Sequence, residues 1–166
     1  MNKKYALLIA LSLLAAAVVV AHPHMSKSIK ATLPGGQEAT ITYSTVPSNE
    51  SHVAKAPAGG FLNPHNARFN LSADVKAGDI TIPAGDYMIG VVKNSEKDFT
   101  LVLHPGPFQA GKPDMSKLIK LDSMFLESQG KAAHLLIDIS PGEGKFQNRA
   151  MLTLHFGSLF LGGALS

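Results

Sequence analysis

Short segments in which apolar and polar residues alternate dominate this sequence, and they constrain its fold more than any other feature. Residues 39–44 and 69–75 alternate in this way. A period of two is the pattern of a β-strand with one buried face. Other short runs are rich in β-branched and aromatic residues without clean alternation, which predicts strands that are buried more fully. These runs are residues 87–92, 99–103, 135–139 and 151–156.

Turn-forming segments rich in proline and glycine separate the predicted strands. Proline restricts φ and glycine permits left-handed backbone, so both interrupt regular structure. The segments are residues 34–36, 77–79, 83–86, 93–97, 105–107 and 141–144. Short strands joined by such turns are typical of antiparallel sandwiches and barrels. We therefore predict an all-β fold, an antiparallel β-sandwich of jelly-roll or immunoglobulin-like type with about eight strands.

Two segments are less regular than the rest. Residues 47–66 are polar and interrupted by proline and glycine, so they are predicted to form a long loop. Loops of this length in compact domains are often functional or disordered. Residues 115–129 match a short helix nearly as well as a strand, and we predict a strand over residues 117–126.

The first residues have the pattern of a secretory signal peptide. Lys3 and Lys4 precede an uncharged run from Tyr5 to Ala21. A run of this length could nearly cross a bilayer as an uncleaved anchor. Small residues directly before His22 favour cleavage after Ala21 instead. We therefore predict a signal peptide over residues 1–21 and one mature domain over residues 22–166. This domain is expected in the periplasm or outside the cell, with no membrane association after cleavage.

The predicted mature chain is nearly neutral and contains no cysteine. Removal of residues 1–21 leaves 13 basic and 12 acidic side chains without a basic cluster. Nucleic-acid-binding surfaces require such a cluster, so nucleic acid is excluded as an expected partner. Because an exported chain without cysteine gains nothing from disulfides, its stability must come from apolar packing.

The order of several motifs resembles a family of exported bacterial β-sandwich proteins of unknown function. The motifs are Tyr43-Ser44-x-x-Pro47, Pro83-Ala84-Gly85-Asp86-Tyr87 and the last strand at residues 152–157. The resemblance covers about residues 27 to 165 and implies a sandwich fold and export. It implies no activity. Where the family usually has Trp-Arg-Thr-Gly-Ala-Asn-Glu, this chain has Leu-Asn-Pro-His-Asn-Ala-Arg over residues 62–68.

The predicted mature amino terminus, which begins His22-Pro23-His24-Met25, is a candidate copper site. An amino-terminal histidine can bind copper through its amine and Nδ1 together, and a second histidine completes the set. This arrangement resembles the histidine brace of exported copper proteins. Imidazole nitrogens suit Cu(II). His65 and His104 lie at the ends of predicted elements, where loops assemble sites, and are the candidate further ligands. The alternative is a flexible, unliganded tail.

No catalytic motif accompanies these histidines. The sequence lacks a Gly-x-Ser-x-Gly elbow, a His-Glu-x-x-His motif and a phosphate-binding glycine loop. The first hypothesis is therefore a non-catalytic binding or structural module whose partner is a cell-envelope protein or polymer. The alternative is a copper-binding protein that uses His22, His24, His65 and His104. A polysaccharide-acting oxidase is the least favoured, because the chain has no Trp to stack on sugars. The oligomeric state stays open.

Overall fold

The structure is a computed structural model that describes residues 24–106 and 113–166, and its backbone alone over residues 126–129. The predicted signal peptide and His22 lie outside the described residues. The described part contains eleven β-strands and one short α-helix, and the paired strands are antiparallel. The predicted all-β antiparallel fold is confirmed. The number of strands is higher than the predicted eight or so.

The first sheet contains seven strands. Six follow one another in space in the order β1 (Ser26–Thr32), β2 (Glu38–Ser44), β4 (Arg68–Leu71), β7 (Gly85–Ser95), β8 (Asp98–Pro105) and β9 (Ile119–Lys120). The seventh, β3 (Gly60–Leu62), pairs with the later part of β7, beyond the residues that pair with β4. The strand β1 therefore lies at one end of this sheet.

Two hairpins form the second layer. The long hairpin consists of β10 (Ser123–Pro141) and β11 (Ala150–Leu165), and the small one of β5 (Val75–Ala77) and β6 (Ile80–Ile82). They are joined because Lys76 and Ser166 exchange backbone hydrogen bonds of 2.6 and 2.8 Å. The strand β10 packs against β2 and β8 of the first sheet.

The main core lies between these two layers. In β4 the predicted alternation is confirmed, because Phe69 and Leu71 are buried while Asn70 is exposed. The opposite wall comes from alternate residues of the long hairpin. The core-facing residues that are fully buried include Ile41, Phe69, Ile89, Leu101, Leu103, Leu135, Ile137, Leu152 and Leu154. Apolar packing between the layers thus supplies the stability that disulfides cannot.

The predicted loop over residues 47–66 was wrong in part. It contains helix α1 (Glu50–Lys55) and strand β3. The Asn49 side chain caps the helix by accepting a hydrogen bond of 3.2 Å from the Ser51 amide. One apolar residue of the helix, Val53, packs against the core. Six helical residues with a single apolar anchor give too little periodicity to be recognised in a sequence.

The single strand predicted over residues 117–126 was also wrong. A 3₁₀ turn covers Met115–Lys117, β9 contains only two residues, and β10 begins at Ser123. The strand β9 pairs with β8 in the first sheet, whereas β10 pairs with β11 in the second. The chain crosses from one layer to the other between Lys120 and Ser123, so one apolar segment serves two sheets.

The long hairpin is bent at an irregularity that contacts the helix. Glu127 faces Leu159 and Leu136 faces His155, so β10 has five more residues than β11 over this stretch. At the bend the Ser158 amide donates a hydrogen bond of 2.7 Å to Glu50, whose carboxylate also pairs with Lys131 at 3.3 Å. The hydrogen bonds from Ser158 hold the pKa of Glu50 below its ordinary value. These contacts fix the start of α1 on the hairpin.

Candidate functional site

The turn before β4 holds His65 in an unusual backbone conformation. His65 and Asn66 have φ values of 54° and 59°, in the left-handed region. Left-handed backbone costs about 1–2 kcal/mol per residue without glycine. Asn63 offsets part of this cost, because its side chain accepts a hydrogen bond of 2.8 Å from the Asn66 amide and donates one of 3.1 Å to the Asn66 side chain. These hydrogen bonds therefore hold the backbone of the turn that carries His65.

The His65 ring lies beside the ring of His24. The two rings are nearly parallel, with centroids 5.7 Å apart. The Nδ1 atom of His24 is 3.1 Å from the Thr45 carbonyl oxygen. A carbonyl oxygen only accepts, so Nδ1 carries the proton and Nε2 of the neutral ring keeps its lone pair. Histidines that bind metals are commonly oriented by such a bond to a backbone carbonyl.

His104 does not join this pair. It lies within β8, is only 5% exposed, and has Nδ1 3.4 Å from the Gly106 carbonyl oxygen. In the sheet register His104 faces Met88, which faces Arg68, so His104 is two strands away from β4. Among residues 24–106 and 113–166, no three His, Cys, Asp or Glu side chains form a group that could hold a metal. The part of the predicted site that includes His22 lies outside the described residues.

A polar cleft of about 460 Å³ adjoins the histidine pair on the outer face of β1, β2 and β4. Ser28, Thr42 and Arg68 are direct neighbours across these three strands. Because side chains alternate along a strand, Ser26 and its partner Ser44 share their face. His65 and Asn66 close one end of the cleft. This face of the cleft thus presents four hydroxyl groups and one guanidinium group.

The lining of this cleft is positively charged, because it contains cationic residues and no carboxylate. Lys27 belongs to the lining, but it pairs with the buried Tyr43 and shares its core-facing side. Arg68 is therefore the cation on the cleft face. Arg68 is exposed, and in the described part of the chain its guanidinium takes part in neither of the two ion pairs. A guanidinium group matches the geometry of carboxylate and phosphate.

Sequence reasoning missed Arg68 as a site residue. The chain has only two arginines, and this one begins the alternating segment directly after the turn with His65. An exposed arginine at the first residue of a strand was the available signal. Its neighbours Ser28 and Thr42 come from distant parts of the chain, so the cleft itself is visible only in the fold.

Comparison with protein-family models, curated proteins and solved structures finds no match for this chain. The resemblance to an exported sandwich family therefore stays a prediction. Within the described residues, no helix has the length and apolar character needed to cross a membrane. The evidence for function comes from the geometry of the site.

Proposed function

We propose that this chain is an exported, non-catalytic module that binds an anionic polymer of the cell envelope in the polar cleft. The observation that carries the proposal is the exposed Arg68 guanidinium, which has no carboxylate partner among the described residues and lies among hydroxyl groups. Export itself is inferred from the leader pattern of residues 1–21.

The chemistry of the lining suits a sugar polymer that carries acidic groups. Arg68 can bind a carboxylate or phosphate through two parallel hydrogen bonds. Ser26, Ser28, Thr42 and Ser44 each offer a hydroxyl that both donates and accepts. The lining provides no carboxylate to orient His65 as a general base for one of these hydroxyls. Such an arrangement favours binding over nucleophilic catalysis.

Calorimetric titration with polygalacturonate tests the proposal. Arg68→Gln is expected to weaken binding about tenfold, which corresponds to one charge-assisted contact. The matched control is Arg149→Gln, because Arg149 is the other arginine of the chain and lies outside the cleft. Inorganic polyphosphate, titrated in the same way, separates a preference for phosphate from one for carboxylate.

Three results would contradict the proposal. The first is equal affinity of the wild-type protein for uncharged dextran, the second is equal weakening by both arginine substitutions, and the third is no binding of either anionic polymer. Binding should also weaken as salt is added, because an exposed charge pair is screened.

Copper binding is the second candidate function, and the orientation of His24 favours it. Its Nδ1 donates to the Thr45 carbonyl, which leaves Nε2 for a metal. His65 lies next to it. The nitrogen lone pairs of two parallel rings lie in parallel planes and do not converge on one point. One of the rings must therefore rotate before both histidines can bind the same metal ion. His22 would supply the amino-terminal nitrogen ligands.

Titration with Cu(II) tests this candidate on a chain that begins at His22. We expect tight binding of one copper ion, lost when one residue is added before His22. His65→Ala should weaken binding at least about tenfold, since it removes a nitrogen ligand. The exposed His134 is the matched control, and His134→Ala should have no effect. Equal weak binding by the native and extended chains would exclude the brace.

A further inference from the structure

A second cavity, of about 440 Å³, lies between α1, the β7–β8 hairpin and the bend of the long hairpin. It shares no lining residue with the polar cleft. Its apolar walls include Val53, Phe99, Phe125, Phe156 and Leu159. The rings of Phe99 and Phe125 contact each other with centroids 5.3 Å apart. An opening lined by three phenylalanines is suited to an apolar group.

A smaller apolar cavity adjoins the larger one on the side of the core. Its volume is about 110 Å³, and it shares Val53, Phe156 and Leu159 with the larger cavity. Its inner wall includes Leu135 and Leu154, which belong to the main core. The apolar residues that line the two cavities therefore extend from the surface beneath α1 to the main core, an arrangement that suits a chain more than a compact ligand.

The wall of the larger cavity also contains a buried charge. Lys93 is only 5% exposed. Its Nζ donates to the backbone oxygens of Val53, Ala54 and Ala56 at 3.1, 2.8 and 2.9 Å. These acceptors are neutral, and within residues 24–106 and 113–166 neither ion pair involves Lys93. A buried charge that is not balanced by an opposite charge is costly.

The other charged groups of this cavity do not balance Lys93. The carboxylate of Glu50 is already engaged by the Ser158 amide and by Lys131. Glu96 and Lys97 are exposed neighbours at the rim, and their charges offset each other. The lining has as many glutamates as lysines, but because Glu50 is paired with Lys131 outside the lining, the charge of Lys93 is left uncompensated. The cavity thus combines apolar walls with one buried cation, which attracts an anion that carries an apolar body.

We propose that this cavity binds a single-chain amphiphile with an anionic head, of the fatty-acid class. The chain lies against the three phenylalanines and extends towards the smaller cavity. All three Nζ protons of Lys93 are committed to α1, so Lys93 attracts the head by charge alone. Lys97 at the rim supplies the direct hydrogen bond to the carboxylate. This site is independent of the polymer cleft.

Calorimetric titration with dodecanoate, kept below its micelle concentration, tests the proposal. Ala54 is exposed and lines the cavity, so Ala54→Trp fills the cavity without disturbing the core. We expect this substitution to weaken binding at least about tenfold. Ala58 is exposed, lies outside the lining and provides the matched control, because Ala58→Trp should bind as the wild type does.

A ligand series tests the role of charge. Dodecanoate should bind at least about tenfold more tightly than dodecanol, and dodecyltrimethylammonium should bind the weakest. Lys97→Gln should weaken dodecanoate severalfold and leave dodecanol unchanged. Equal binding by Ala54→Trp and wild type, equal binding of the anionic and cationic amphiphiles, or no binding of dodecanoate by the wild type would each overturn the proposal. None of these results bears on the Arg68 cleft.

Discussion

Replacement of Lys93 by methionine is expected to lower the free energy of unfolding by about 2–4 kcal/mol. The buried ammonium group donates three hydrogen bonds to backbone oxygens at the end of α1. Methionine keeps much of the side-chain volume but provides no donor, so three carbonyl groups lose their partner. The removal of a buried charge offsets part of this loss. Urea unfolding followed by circular dichroism measures the difference.

The same substitution should release α1 from the sandwich. Glu50 would still hold the start of the helix through Ser158, but its end would keep only the apolar contact of Val53 with the core. Hydrogen exchange of residues 50–56 should therefore accelerate by more than the global loss of stability explains. Lys55→Met is the matched control, because Lys55 is an exposed lysine of the same helix. A Lys93→Met protein as stable as the control would show that the three bonds contribute little.

Replacement of Phe69 by alanine is expected to lower the free energy of unfolding by about 3–5 kcal/mol, a larger loss than that expected for Lys93→Met. Phe69 is fully buried in β4, opposite Ile41 in β2 and Tyr87 in β7. The lost ring leaves a cavity in the middle of the first sheet, where neighbours on both sides are held in register and can collapse only in part.

A matched substitution separates burial from residue type. Phe160 is only partly buried, and its ring contacts His155 edge-on. Phe160→Ala should therefore cost less than half as much as Phe69→Ala in the same urea unfolding measurement. Equal losses for the two variants would contradict the placement of the main core between the two layers.

The core and the sheets could be predicted because their signals are local. The alternation around Phe69 and the runs at residues 87–92 and 99–103 mark strands without knowledge of their partners. The strand count was too low because β3, β5 and β6 contain only three residues each. The segment near Leu121 was assigned to one strand although it serves two sheets. Which sheet a residue joins is decided by tertiary packing and leaves no mark in the periodicity.

Lys93 shows why the cavity beneath α1 could not be predicted. The sequence places this lysine in the turn segment of residues 93–97, where a charged residue suggests exposure. The structure places it within β7 and buries it, because the carbonyl groups at the end of α1 accept hydrogen bonds from its Nζ. Those carbonyls lie about forty residues earlier in the chain, and the helix has only one apolar anchor.

The candidate histidines include two that the structure brings together and one that it places elsewhere in the sheet. His24 was a candidate because of its place at the predicted mature amino terminus and His65 because of its position at an element end, and the structure brings the two together. His104 was chosen with His65 for its position at the end of an element and is the penultimate residue of β8, but it lies two strands away from β4. Position along the chain does not fix distance across a sheet, where the order of strands decides which ends meet.

The position of β1 at the end of the first sheet has a consequence for the behaviour of the protein at high concentration. The outer edge of β1 has backbone donors and acceptors that could template a strand from another molecule. Lys27 and Lys30 lie on opposite faces of this strand and are exposed. A strand added beside β1 would remove water from both ammonium groups without neutralising them. The two lysines therefore oppose edge-to-edge aggregation. Replacement of either lysine is expected to make the protein more prone to aggregate at high concentration.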